Sequence, residues 1–299
     1  MTAIIECVPN FSEGRRKDVV DKIVHSIRSV PGTKVLDVES DADHNRSVIT
    51  FVGNKESVHE SAFRAARAAA ELIDLTRHQG EHPRMGALDV LPFIPISGVT
   101  IDECVEVANR TAERIWKSLK VPCYMYEAAA KRPDRKNLEN VRRGQFEGLR
   151  EAVLTDDSRY PDYGSKGLHP TAGATAVGAR MPLIAFNVNL DSTDVEVAKA
   201  IAKKIRASGG GMPHVKALGF TLKEKNMVQV SMNLTDYTVT PISKVFEAVN
   251  TEADALGVKV ANGEIIGLIP LDSVCDLAAR FLKLDAFTSR QVLERRIWT

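Results

Sequence analysis

Two hydrophobic periods alternate along the chain, and their order occurs twice. In the second half, residues 183–190 are a run of β-formers that predicts a buried strand. A helix is expected next, opened by Thr193 with Glu196 three residues later, the spacing of a capping box. Its apolar stripe runs through Val197, Ala198, Ile201, Ala202 and Ile205, and Ser208-Gly209-Gly210-Gly211 ends it. Val215–Leu222 and Met227–Leu234, joined by a short polar turn, read as a hairpin. Thr240 as N-cap and Pro241 as first helical residue open another helix, striped by Val245, Ala248, Val249 and Ala255 and ending near Gly257. Residues 258–260 and 265–269 complete the unit as a final strand pair. The order is β-α-β-β-α-β, the ferredoxin-like arrangement.

The first half repeats it. Residues 4–8 predict a strand, Val19, Val20, Ile23, Val24 and Ile27 one face of a helix, and residues 34–38 and 47–52 a strand pair. An alanine-rich helix over 58–73 and a strand over 88–96 follow. A further helix, with Thr100 and Glu103 as a capping box, leads to a strand at 121–126. The turn-rich stretch 156–164 reads as a linker, which predicts subdomains at 1–163 and 164–299. The expected class is α/β (α+β), two ferredoxin-like βαββαβ subdomains. Each has helices on one face of its sheet, so the two are expected to pack together and leave a crevice, where pockets favour forming. The tail 281–299 has a helical stripe through Leu282, Leu284, Phe287 and Val292, fit for packing or for a dimer contact.

Composition narrows the functional classes. The 299 residues allow two compact domains, and a net charge of +1 offers no global attraction to nucleic acid or anionic membranes. The four cysteines, Cys7, Cys104, Cys123 and Cys275, contain no C-x-x-C pair, which argues against a zinc ribbon or a disulfide framework. The chain enters its first strand with no basic and apolar leader, and no apolar run approaches the roughly 18–20 residues that span a bilayer. A cytoplasmic location is expected.

The densest polar segment is Arg77-His78-Gln79-Gly80-Glu81-His82-Pro83-Arg84-Met85-Gly86. A solvated charged loop is the plain reading. His78-Gln79-Gly80-Glu81-His82 also matches H-x-x-E-H, a zinc-peptidase spacing that needs a helix to place both histidines on one face. Gly80 inside the segment and Pro83 directly after His82 work against that helix. A histidine rimmed by arginines suits acid–base work on an anionic substrate, because imidazole titrates near neutrality and guanidinium grips carboxylates bidentately. A second segment, Gly164, Ser165, Lys166, Gly167, Leu168, His169, Pro170, Thr171, Ala172 and Gly173, is either a flexible interdomain loop or a backbone that a planar ligand can approach closely. It carries no nucleotide-binding pattern. The basic run 131–136 with Arg142 and Arg143 reads as a solvated face, or as a partner for a polyanionic tail. His25, His44, His59 and His214 stand singly, and most are expected at the surface.

Glu6-Cys7-Val8-Pro9-Asn10-Phe11-Ser12-Glu13-Gly14, the stretches 37–46 and 77–90, Pro92-Phe93-Ile94-Pro95, Gly173-Ala174-Thr175, Gly178-Ala179-Arg180 and Leu183-Ile184-Ala185-Phe186-Asn187 together resemble the formiminotransferase domain of glutamate formiminotransferases. In animals that domain is half of a bifunctional formiminotransferase-cyclodeaminase. The resemblance runs almost collinearly from Ile4 to about Leu271. It implies a folate-dependent transferase of histidine degradation and one-carbon metabolism, moving a formimino group from N-formimino-L-glutamate to N5 of tetrahydrofolate. It further implies two similar α/β subdomains with a folate channel between them, a homodimer, tetrahydrofolate as co-substrate, small-molecule partners only and no metal. The catalytic histidine falls on His82, the folate loop on 164–173, and a further folate contact near His214. From position and chemistry, Arg84 and Arg77 are assigned to the glutamate carboxylates, and Asn10 and Glu39 to the amidine or to orienting His82. The chain departs from animal members at Lys166-Gly167-Leu168-His169, which replaces a more apolar version, and at Ala172, where an aromatic residue is common. Its end near the transferase boundary implies that cyclodeaminase activity is absent. Rival readings are formyl transfer from 5-formyltetrahydrofolate to glutamate and a non-catalytic folate-binding protein.

Overall fold

The computed structural model describes residues 3–222 and 225–298. It divides into two compact units, Met1–Arg180 and Met181–Thr299. In the first unit the strands are β1 (Ile4–Cys7), β2 (Asn10–Phe11), β3 (Lys34–Asp41), β4 (Arg46–Gly53), β5 (Leu88–Ser97), β6 (Cys123–Glu127) and β7 (Thr175–Ala179). The helices are α1 (Lys17–Arg28), α2 (Lys55–Leu72), α3 (Ile101–Leu119), α4 (Leu138–Arg142) and α5 (Gln145–Thr155). β1 and β2 pair the same two neighbours, β4 and β5, so they are one strand interrupted at Val8-Pro9, where proline lacks the N–H a ladder needs. With β3 outside β4, the order β3, β4, β1 with β2, β5 is the ferredoxin-like one. β7 and then β6 extend the sheet beyond β5 in parallel.

Helical stripes bury one face of this sheet. Val19, Val20, Ile23, Val24 and Ile27 of α1 and Val58, Ala62, Ala65, Ala66 and Ala69 of α2 form a single core with Ile5, Cys7, Phe51, Leu91 and Phe93. The alanines of α2 leave room for the helix to lie close on the strands. α3 begins at the expected capping box, Thr100 with Glu103, an arrangement worth about 1 kcal/mol. Part of the sheet's second face is covered from within the same unit. There Met85, Val90, Tyr124, Tyr126, Val141, Leu149, Ala174 and Ala176 make a separate apolar cluster that includes Val141 of α4 and Leu149 of α5. β5 is accordingly buried on both sides, whereas β3 alternates between exposed and half-buried residues.

In the second unit the strands are β8 (Ile184–Leu190), β9 (Val215–Leu222), β10 (Met227–Leu234) and β11 (Val260–Ile266), in the order β11-β8-β10-β9, all antiparallel. The helices are α6 (Val195–Ile205), α7 (Ile242–Ala255), α8 (Leu271–Leu282) and α9 (Leu293–Trp298). This is the ferredoxin-like order again. Among the described residues, no helix is long and apolar enough to cross a membrane.

Several expectations need adjusting. The units divide at Arg180 and Met181, not at Tyr163 and Gly164, because β7 pairs with β5 and β6 and so ties residues 164–180 to the first unit. α4, α5 and β7 were not foreseen. α6 is capped by Asp194, whose carboxylate accepts from the Glu196 N–H at 2.9 Å, rather than by Thr193. Thr240 donates its hydroxyl to the Pro213 carbonyl at 2.6 Å, and Pro241 takes the N-cap position before α7. The expected final strand pair is the single strand β11. His59 is buried, with Nδ1 2.8 Å from the Thr111 hydroxyl.

Candidate active site

The polar segment around His82 is irregular chain between α2 and β5, as Gly80 and Pro83 led us to expect. It is laced to the turn between β3 and β4. Asn45 donates its side-chain N–H to the Gln79 carbonyl at 2.9 Å, and His78 donates Nε2–H to the Asn45 carbonyl at 2.9 Å. That bond leaves Nδ1 of His78 to accept from Arg84 Nε at 3.1 Å, so both ring nitrogens are engaged. Gly80 passes so near the His44 carbonyl that a Cβ would overlap it.

This lacing brings His82 against a buried ionic cluster. Arg46, the first residue of β4, places Nη1 2.7 Å from His82 Nδ1 and 3.2 Å from Asp89 Oδ2, and its Nη2 donates to Asn10 Oδ1. Asp89 of β5 is fully buried. Its Oδ2 also accepts from Arg142 Nη2 at 2.5 Å, and its Oδ1 accepts the Met85 N–H at 2.8 Å. Asn10 is turned toward Arg46 because its Nδ2 donates to the Val8 carbonyl at 2.8 Å. The ring of His44 stands edge-on to His82, centroids 6.3 Å apart.

Electrostatics follow from that placement. Asp89 is held below the usual carboxylate range because Arg142, Arg46 and the Met85 N–H together outweigh its desolvation. Burial lowers Arg46 to about 10, which leaves it charged at neutral pH. Burial, reinforced by Arg46 and Arg142, pushes His82 down to about 3, so the imidazole is neutral there. A neutral imidazole can accept a proton at one nitrogen and return it, the work of a shuttle.

The structure brings some sequence candidates together and separates others. His82 and Asn10 meet through Arg46. Arg84 lies close by but is committed elsewhere: it donates to both Glu147 oxygens at 2.9 and 2.8 Å as well as to His78. Arg77 is 88% exposed at the side chain and pairs with Asp74 at 3.7 Å. Glu39 is half-buried on β3, opposite Val48 of β4. Of the 164–173 loop, the last residues are stitched to the histidine segment. Leu75 and Ala87 donate to the Thr171 and Ala172 carbonyls at 2.8 and 2.9 Å, and Ala174 donates to Met85 at 2.9 Å. His169 Nδ1 accepts the Ala172 N–H at 3.0 Å, which folds the loop back on itself. Gly173 is required there: its φ of +68° is left-handed, and a Cβ would overlap the Met85 carbonyl oxygen. Lys166 reaches Asp157 at 3.7 Å. His214 belongs to the second unit, with a φ of +59° and a carbonyl that accepts from Thr235 N at 2.8 Å.

Sequence reasoning missed Arg46, Asp89 and Arg142. The basic run suits a solvated face or a polyanionic tail by sequence, yet Arg142 is an ion-pair partner of Asp89, and Arg135 pairs with Asp162 at 2.7 Å with both side chains buried. The available signal was Asp89 itself, a lone carboxylate inside an apolar strand, which demands a buried cation.

Fold and site define a two-unit α/β protein whose first unit holds a neutral histidine inside a buried arginine–aspartate cluster, the setting of an acid–base group-transfer enzyme. Comparison with known sequences makes this specific. The N-terminal subdomain of the formiminotransferase domain matches residues 4–180, and the formiminotransferase domain matches residues 185–295. The chain belongs to the formiminotransferase family. It is 49% identical to a glutamate formimidoyltransferase of Streptococcus pyogenes serotype M1 over 99% of both chains. It is 46% identical to that of Thermoplasma acidophilum over 99% of this chain and 97% of the other. A formimidoyltransferase-cyclodeaminase of Sus scrofa is 47% identical over 93% of this chain and 52% of its own length.

Proposed function

We propose that this protein is a glutamate formimidoyltransferase that moves the formimino group of N-formimino-L-glutamate to N5 of tetrahydrofolate, with His82 as the proton shuttle. The observation that carries this reading is the position of His82, neutral and hydrogen-bonded at Nδ1 within the Arg46–Asp89–Arg142 cluster, in a chain so similar to proteins of that name. The attacking amine must lose a proton and the departing glutamate nitrogen must gain one. His82 serves both needs, a contribution of roughly 10²–10⁴ in rate. Holding both substrates at one site supplies the rest by proximity.

Tetrahydrofolate is the co-substrate, and the 164–173 loop is its proposed contact, together with His214. The loop's backbone fits a planar partner at Gly167, where a Cβ would meet nothing within 4 Å and φ is +125°. Asn10 orients the histidine site through Arg46, and Glu39 is assigned to the amidine. Arg84 and Arg77 are assigned to the glutamate carboxylates, with Arg46 and Arg142, two cations that share Asp89, offered to one of them. A cytoplasmic homodimer acting in histidine degradation, without a metal, completes the reading.

The test is the rate of 5-formiminotetrahydrofolate formation from formiminoglutamate and tetrahydrofolate, followed by absorbance after acid conversion to methenyltetrahydrofolate. Turnover with this donor well above that of the 5-formyltetrahydrofolate–glutamate pair is expected. The reverse ranking would make the enzyme a formyltransferase, and tight folate binding without turnover would make it a binding protein.

A further inference from the structure

Nδ1 of His82 faces two groups that make opposite demands on it. Arg46 Nη1 stands 2.7 Å away and can only donate, and the Pro83 carbonyl stands 2.7 Å away and can only accept. A lone pair on Nδ1 satisfies the arginine and opposes the carbonyl, and a proton on Nδ1 does the reverse. The arginine prevails as the site stands, because it carries a full charge and is held in place by Asp89 and Asn10. The ring proton then sits on Nε2, and Nε2 cannot act as a base.

The cluster is also unbalanced. Two guanidiniums, Arg46 and Arg142, meet one carboxylate, Asp89, in a place where their side chains are each 15% exposed. The Nε of Arg142 is buried with no hydrogen-bond partner among the described residues. An excess cation with an unmet buried donor is a site for an anion. His44, edge-on to His82, is a second titratable ring facing the histidine.

We propose that a carboxylate of the glutamate substrate, taken up by Arg46 and Arg142, switches the proton of His82 from Nε2 to Nδ1 and so arms Nε2 as the base. This rests on the reading of His82 as the shuttle. When the carboxylate draws Nη1 off the ring, Pro83 becomes the remaining partner of Nδ1. The ring takes a proton from water at Nδ1 and releases the one on Nε2 to water, so its proton count and charge are unchanged. The anion also offsets the arginine charge that adds to burial in lowering His82 to about 3, which brings its proton affinity toward the working range of a shuttle. Arg46 thus binds the carboxylate and sets the proton of His82 in one movement, and base strength appears only where substrate is bound.

Nitrogen NMR of ring-labelled protein reads the tautomer directly, with the His82 signals assigned by their loss in His82→Gln. Without ligand, Nδ1 is expected to be pyridine-like and Nε2 pyrrole-like. Saturating glutamate, the dicarboxylate the reaction releases, should exchange the two. In Arg46→Met the ring should carry its proton on Nδ1 from the start and ignore glutamate. A proton already on Nδ1 in the free wild-type protein, glutamate binding with unchanged ring signals, or no glutamate binding at all would overturn the switch. Turnover of His82→Ala separates the two readings. An active His82→Ala would fail the shuttle itself, while an inactive one beside an unmoved tautomer would fail the switch alone.

Discussion

The two units put different chemistry on the same three strands. In the first, the first, third and fourth strands of the ferredoxin-like order present Asn10, Arg46 and Asp89, joined into a charged cluster beside His82. In the second, the corresponding strands β8, β10 and β11 present Asn189, Gln229 and Asn262 in one cross-strand row. These form a neutral ladder: Gln229 donates to Asn189 at 2.9 Å, and Asn189 donates to Asn262 at 2.7 Å. The amide row is set directly by strand register, whereas in the first unit Asn10 lies opposite Val48 and Val90 and is joined to Arg46 and Asp89 by side-chain reach. Amides satisfy one another when buried and titrate nothing. Buried charges cost more and in return tune a neighbouring imidazole. The fold thus supplies positions, and the ionisable residues decide which unit holds the proton chemistry.

Asp89→Asn should break the comparison most severely. It leaves Arg46 and Arg142 facing each other without their anion, a loss of about 3–5 kcal/mol in denaturant unfolding. Gly173→Ala should come next, because it strains a left-handed residue by about 1–3 kcal/mol and drives a methyl into the Met85 carbonyl. A lowered melting temperature and slower transfer are the readouts, and an unchanged protein would mean that the stitch to the histidine segment is dispensable.

Acid should separate the units. The folded-state pKa of His82, about 3, lies below its ordinary 6.5, so the unfolded chain binds more protons between those values. Stability therefore falls as pH drops through that window, and Asp89 adds a further loss once pH falls through its depressed value. His59, lowered to about 4, and the also lowered His78 and His169 contribute to the same fall. Comparing wild type with His82→Gln isolates one residue: the variant's stability should depend less steeply on pH from about 6.5 to about 3. Smallest is Asn189→Ala, expected to cost about 1 kcal/mol and to leave the pH dependence unchanged. A pH-dependent effect there would contradict the neutral reading of the ladder.

Much of the fold was legible because burial writes a period into the chain. The stripe of α1, the hairpin of β9 and β10 and the capping box of α3 all follow from local pattern. What escaped was written by tertiary partners. β7 is Thr-Ala-Val-Gly-Ala, too small and mild to declare itself a strand, and it exists because β5 and β6 flank it. α4 lies in a basic stretch whose arginines look solvated until Asp89 is found beneath Arg142. Thr193 and Asp194 are both competent caps, and only the path of the chain selects between them. In the site, His82 stood out for its arginine-rimmed loop, and Asn10 for its place near the first strand. Arg46 and Arg142 are ordinary arginines in sequence, given meaning by strand register and by a helix laid across the sheet.

The most direct test of the account is the rate of formimino transfer by His82→Ala, measured beside its folding and folate binding. A folded variant that still binds folate and turns over roughly 10²–10⁴-fold more slowly is predicted. Near-normal turnover would contradict the placement of proton transfer at His82.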